Sequence, residues 1–92
     1  MSTYDFMVAA KKLVCDWIAN RYASDNKTAA IQWTDVFVVW QAKILKNHKV
    51  ILAAPTPDNY MFEVTLNGEN GDIYFDAYDK IENKCIKHNK VA

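Results

Sequence analysis

The sequence predicts an α+β fold: an N-terminal helix packed on a four-stranded antiparallel meander, followed by a short C-terminal helix. Three observations carry this expectation. Apolar residues recur at helical spacing near the N-terminus, they alternate from Trp33 onward, and the polar breaks between alternating segments are short enough to be hairpins.

The first helix begins at Ser2, which is placed to cap it, with Asp5 facing the positive helix end. Phe6, Ala10, Leu13, Val14, Trp17 and Ile18 then form one apolar stripe, while Lys11, Lys12, Asp16 and Asn20 fall largely on the other side. The helix is expected to fade between Tyr22 and Ser24. Asp25, Asn26 and Lys27 read as a polar connection.

From Trp33 the period changes. Val36, Val38, Trp40, Ala42 and Ile44 alternate along one side of a strand, and Phe37, Val39, Gln41 and Lys43 line the other. Apolar residues on both sides predict a central strand, or one under a second covering element. The break Lys46-Asn47-His48-Lys49 is read as a hairpin turn, and Val50 to Ala54 as a short strand that Pro55 and Pro57 terminate. The third strand alternates most clearly, with Tyr60, Phe62, Val64 and Leu66 on the side the first helix should cover. Asn67-Gly68 and Asn70-Gly71 suit a tight reversal that needs positive φ. The chain returns through Ile73, Phe75 and Ala77. From Tyr78 the spacing of Ile81, Cys85 and His88 predicts a C-terminal helix, although a continued strand fits the same short stretch.

Ninety-two residues fit one domain, 1–92. With 51% of residues hydrophobic and 13% aromatic, a packed core is expected rather than disorder. Eleven basic and eleven acidic side chains cancel, so the chain lacks the basic excess that usually supplies nucleic-acid affinity. Nucleic acid is therefore not the expected partner. Zero net charge also removes one obstacle to self-association, and the two edges of a meander offer strand addition as a route to a homodimer. Cys15 and Cys85 match no metal or redox spacing and are expected to be reduced thiols. Neither a signal-peptide pattern nor an apolar run of membrane-spanning length is present in the sequence, which predicts a cytoplasmic protein away from membranes.

The motifs of catalysis are not recognisable. His48 and His88 stand singly, so neither a nucleophile–base pair nor a metal set can be named, and neither an enzyme nor a cofactor is expected. Gly68-Glu69-Asn70-Gly71 lies between strands rather than opening a helix, which makes it a turn and not a phosphate loop.

Two surfaces remain as binding candidates. If Leu66 and Ile73 flank the last turn in register, Thr65 faces Tyr74, Glu63 faces Asp76 and Met61 faces Tyr78. Glu63, Tyr74, Asp76, Tyr78 and Asp79 then compose an acidic, tyrosine-bearing surface suited to a basic partner protein. The same residues also fit a solvated strand face without a partner. The second candidate is a basic patch of Lys43, Lys46, His48 and Lys49 around the first hairpin turn, the natural site for a small nucleic-acid-binding regulator. Lysines that keep a turn soluble would look identical, and Arg21 is the one arginine in the chain.

The blocks Asp35-Val-Phe-Val-Val-Trp-Gln-Ala-Lys-Ile-Leu-Lys-Asn, Lys49-Val-Ile-Leu, Tyr60-Met-Phe-Glu-Val-Thr-Leu-Asn-Gly and Ile73-Tyr-Phe-Asp-Ala-Tyr-Asp-Lys resemble a family of short proteins from phages and prophages of Gram-positive bacteria. That family is known only as a domain of unknown function. The resemblance spans residues 4 to about 86 and brings no catalytic residues with it. It implies an accessory protein that binds and redirects a host protein in the bacterial cytoplasm, an inhibitor of a host defence system being one such role.

Overall fold

The structure, a computed structural model, describes residues 1–79 together with 84, 86 and 87. Helix α1 spans Thr3–Arg21. The Ser2 hydroxyl accepts the Asp5 N–H at 3.0 Å, and the Tyr22 N–H closes the last turn on the Ile18 carbonyl. Asp5 in the first turn and Arg21 in the last both oppose the helix dipole favourably. Phe6, Ala10, Val14 and Ile18 form its buried stripe, with Leu13 and Trp17 packed beside it, as the spacing predicts.

The polar connection expected after α1 contains a second short helix, α2, at Asn26–Ala29. Asp25 accounts for it: its carboxylate accepts the Thr28 N–H at 3.3 Å and the Thr28 hydroxyl at 2.7 Å. A single 3₁₀ turn at Trp33–Asp35 then reorients the chain, with the Asp35 carboxylate accepting the Gln32 N–H at 3.0 Å.

Four strands follow: β1 Phe37–Ile44, β2 Asn47–Ala53, β3 Tyr60–Leu66 and β4 Ile73–Asp79. They form one antiparallel sheet in the order β1-β2-β3-β4, the predicted meander. Helix α1 lies over β2 and β3. The core between the layers joins the α1 stripe to Val36, Val50, Leu52, Phe62, Val64 and Leu66. Each such large side chain stabilises the fold by roughly 1.5–3 kcal/mol. Trp17 closes one end, its ring edge-on to Phe62 and Tyr60 at centroid distances of 5.2 and 4.9 Å.

Three expectations are corrected. First, β1 is an edge strand rather than a central one. Its register with β2 slips between Val38 and Trp40, and this bulge breaks the single alternating row that the sequence suggests: Val38 opposes core residue Leu52, whereas Trp40 opposes Ile51 on the other side. Second, the first turn is only Leu45-Lys46, because Leu45 accepts a φ of 56°, so His48 and Lys49 are strand residues. Third, Gly71 has a positive φ of 79°, but Gly68 does not need one.

The C-terminal helix to about His88 falls largely outside the described residues. Within them, Tyr78 and Asp79 continue β4, and Lys84, Ile86 and Lys87 carry no regular secondary structure. Among the described residues no helix is long and apolar enough to cross a membrane.

Candidate docking surface on the open side of the sheet

A sheet has two faces, and α1 covers one. Cross-strand partners share a face, so the pairing register fixes what the other side displays. From β1 come Phe37, Trp40, Ala42 and Ile44, and from β2 come Asn47, Lys49, Ile51 and Ala53. From β3 come Met61, Glu63 and Thr65, opposite Tyr78, Asp76 and Tyr74 of β4. This is the β3–β4 register expected from the sequence.

The open side is divided along a diagonal. Its β1 column and one end are apolar, with Trp40 49%, Phe37 53% and Ile44 70% exposed, whereas the β3–β4 corner is polar. Large apolar side chains exposed together on one sheet face make this the candidate binding surface. Trp40, Ala42, Ile44, Asn47, Lys49 and Thr65 also line a depression of about 380 Å³.

Glu63 organises the polar corner. Its Oε1 lies 3.0 Å from Lys49 Nζ, and its Oε2 accepts the Tyr78 hydroxyl at 2.9 Å. The contact with Lys49 and then that with Tyr78 hold the Glu63 carboxyl below its usual value, and Glu63 in turn holds the Tyr78 phenol above its own. The Glu63–Asp76 juxtaposition is thus relieved from the Lys49 side. Asp76 and Tyr74 are left exposed at the rim. Of the predicted acidic set, Glu63, Tyr74, Asp76 and Tyr78 come together on this side. Asp79 opposes Tyr60 and belongs to the helix side.

The predicted basic patch does not assemble into one surface. Lys49 belongs to the open side and is paired with Glu63. Lys43 opposes His48 on the helix side and donates to Thr3 Oγ1 at 3.5 Å. Lys43 and Lys46 do rim a separate depression of about 390 Å³ beside Met1, Leu45 and Leu66. His48 is buried, its ring 4.6 Å from that of Phe6 and its Nε2 3.2 Å from Gln41 Oε1. Burial, reinforced by the Lys43 charge, holds this imidazole below its ordinary value of 6.5.

That shift has a measurable consequence. The folded protein favours neutral His48, so the unfolded chain takes up the proton first as pH falls. Stability contributed by His48 is complete above about pH 6.5 and declines on acidification through the lowered folded-state value, by up to ~1.4 kcal/mol per pH unit. Urea titrations across pH 5 to 8 (about the range in which an imidazole titrates) should show this decline, and His48→Gln should flatten it. An unchanged acid limb in the variant would assign it to other groups.

Sequence reasoning placed Met61 opposite Tyr78 but missed the rest of the apolar half of the open side, Phe37, Trp40, Ile44 and Ile51. A signal was present, since the Val36–Trp40 stretch is apolar on both sides while the sequence offers one long helix to cover them. Among the described residues no three His, Cys, Asp or Glu side chains converge as metal ligands. Cys15 is half-buried, and its thiol is pushed up by that burial and by Asp16 and Asp35.

Fold and surface together define a two-layer α+β protein with one sheet face covered by its own helix and the other left uncovered by the described residues. The chain belongs to a family of unknown function, DUF6275, whose model matches residues 7–88. No curated protein and no solved structure matches it significantly.

Proposed function

We propose that this chain is a non-enzymatic, phage-encoded accessory protein that binds a host protein in the bacterial cytoplasm through the open side of its sheet. The observation that carries the reading is the sheet face that no described element covers, with exposed Phe37, Trp40 and Ile44 on β1 and Met61 opposite Tyr78, alongside Asp76 and Tyr74, at the β3–β4 side. Aromatic and Met side chains are the residues enriched at protein interfaces, and a carboxylate at the rim selects a partner with basic groups around an apolar centre. Inhibition of a host defence system would be one outcome of such binding. The phage context rests on the resemblance of the strand and turn blocks.

The test is affinity capture from host lysate with nuclease present, comparing the wild type with Phe37→Asp and Asp76→Lys. Both positions are exposed, so the variants should retain the wild-type melting curve. A protein held by the wild type should bind Phe37→Asp at least about 30-fold more weakly, as expected for an aromatic anchor. Asp76→Lys should weaken binding less, mainly through association rate and with reduced salt dependence. Equal capture by all three proteins would remove this surface from consideration. Nuclease-sensitive recovery alone would favour the nucleic-acid regulator instead.

A further inference from the structure

Strand β1 borders the sheet, with β2 as its one neighbour among the described residues, and its sequence is FVVWQAKI. Phe37, Val38, Val39, Trp40 and Ile44 are each more than a third exposed. Natural sheets usually blunt such an edge with Pro, several charges or very short length. Here the protection is one bulge at Val38–Trp40 and one charge, Lys43, which leaves Trp40–Ile44 as a regular, unprotected run.

The backbone of that run is oriented for pairing. Ile44 and Asn47 flank a two-residue turn, the position of a hydrogen-bonded pair, so Ile44 and Ala42 direct their N–H and C=O groups at β2. Gln41 and Lys43, between and beside them, direct theirs outward. An antiparallel copy of the same strand centred on Ala42 therefore sets Gln41 against Lys43 of the second copy, twice, with two hydrogen bonds per pair. In that register Trp40 meets Ile44 of the second copy on the open side, the small Ala42 side chains meet at the twofold axis, and the two Lys43 ammonium groups stay apart. Centring on Lys43 would oppose the two ammonium groups, and centring on Gln41 would run into the bulge. The opposite edge, β4, carries Asp76 and Asp79 without a basic residue, so two β4 edges would bring carboxylates together.

We infer that β1 pairs with β1 of a second copy in the Ala42-centred register, closing a twofold dimer whose two sheets are continuous. The apolar columns of the two open sides then adjoin across the axis. A contact made by one short strand run per copy is small beside the ~1,200 Å² of a standard specific interface, so the dimer is expected to form reversibly.

Light scattering on the wild-type chain should give a mass that rises from 10.6 kDa toward twice that value as concentration is raised, over roughly 10 μM to 1 mM. Ala42→Lys and Ala42→Glu each place like charges at the axis and should be monomeric throughout, with melting curves that show them folded. Mixing the two variants should restore the dimer mass, which a folding defect would not allow. A wild type that stays at 10.6 kDa over this range overturns the inference. So does a dimer that persists in Ala42→Lys, since the open faces would then be stacking instead. Species larger than a dimer would indicate head-to-tail β1–β4 pairing and overturn it as well.

Discussion

Gly68→Ala should destabilise this protein by about 3 kcal/mol or more, the upper end of the cost of forcing extra atoms into a packed site. A Cβ at Gly68 would sit 1.8 Å from the Lys46 carbonyl oxygen and 2.5 Å from both the Lys46 carbonyl carbon and Cβ. The obstruction is mostly backbone, so a rotamer change cannot relieve it. In a meander the first and third turns lie at the same end of the sheet, and here they touch: the Gly68 N–H donates to Asn47 Oδ1 at 3.1 Å. An added methyl group would push the two turns apart and take that bond with it. For a domain of this size the melting temperature should fall by at least about 12 °C. Gly71 offers the control, because its φ is positive but nothing lies within 4 Å of an added Cβ. Gly71→Ala should therefore cost only ~1–2 kcal/mol, the left-handed penalty alone. Equal losses in the two variants would show that the turns separate freely and that the contact is unimportant.

Phe62→Ala should be the most damaging single truncation, at about 3–5 kcal/mol. Phe62 is fully buried at the centre of β3, where its ring meets Trp17 edge-on and lies stacked 6.0 Å from Phe75. It joins the helix layer to the β3–β4 half of the sheet, so its removal leaves a cavity that rigid strands cannot close. Domains of this size are stable by only about 5–15 kcal/mol in all, and the variant should be partly unfolded at 37 °C. Denaturant melts of Phe62→Leu beside Phe62→Ala would separate volume from aromatic geometry, with the leucine variant losing roughly half as much or less. If alanine at this position cost under ~1 kcal/mol, the core would have to collapse around the gap, contrary to the packing described.

Elements whose pattern is local were legible in the sequence. The helix stripe Phe6–Ala10–Val14–Ile18, the Ser2 cap, the alternation of Tyr60–Leu66 and the β3–β4 register each follow from spacing within a few residues, because side-chain direction is set by backbone period. The grouping of Glu63, Tyr74, Asp76 and Tyr78 followed from that register. What misled was a feature that spacing alone does not encode. A bulge adds a residue without altering composition, so the single row read through Val36–Ile44 is in fact shared between two faces. Leu45 likewise takes a backbone angle that an Asn or Gly would have announced, which shortened the turn and carried His48 into the core.

Periodicity and short connections were enough to read the order of helix and strands, their sequential antiparallel pairing and the covered side of the sheet from the sequence. Packing across the sheet settled that β1 is an edge, that Lys49 pairs with Glu63 on the face opposite Lys43 and His48, and that Gly68 is needed for space rather than for φ. These depend on which strands neighbour one another and on how far apart two turns lie. Such distances are fixed by the whole sheet packing against α1, and no single segment of the chain contains them.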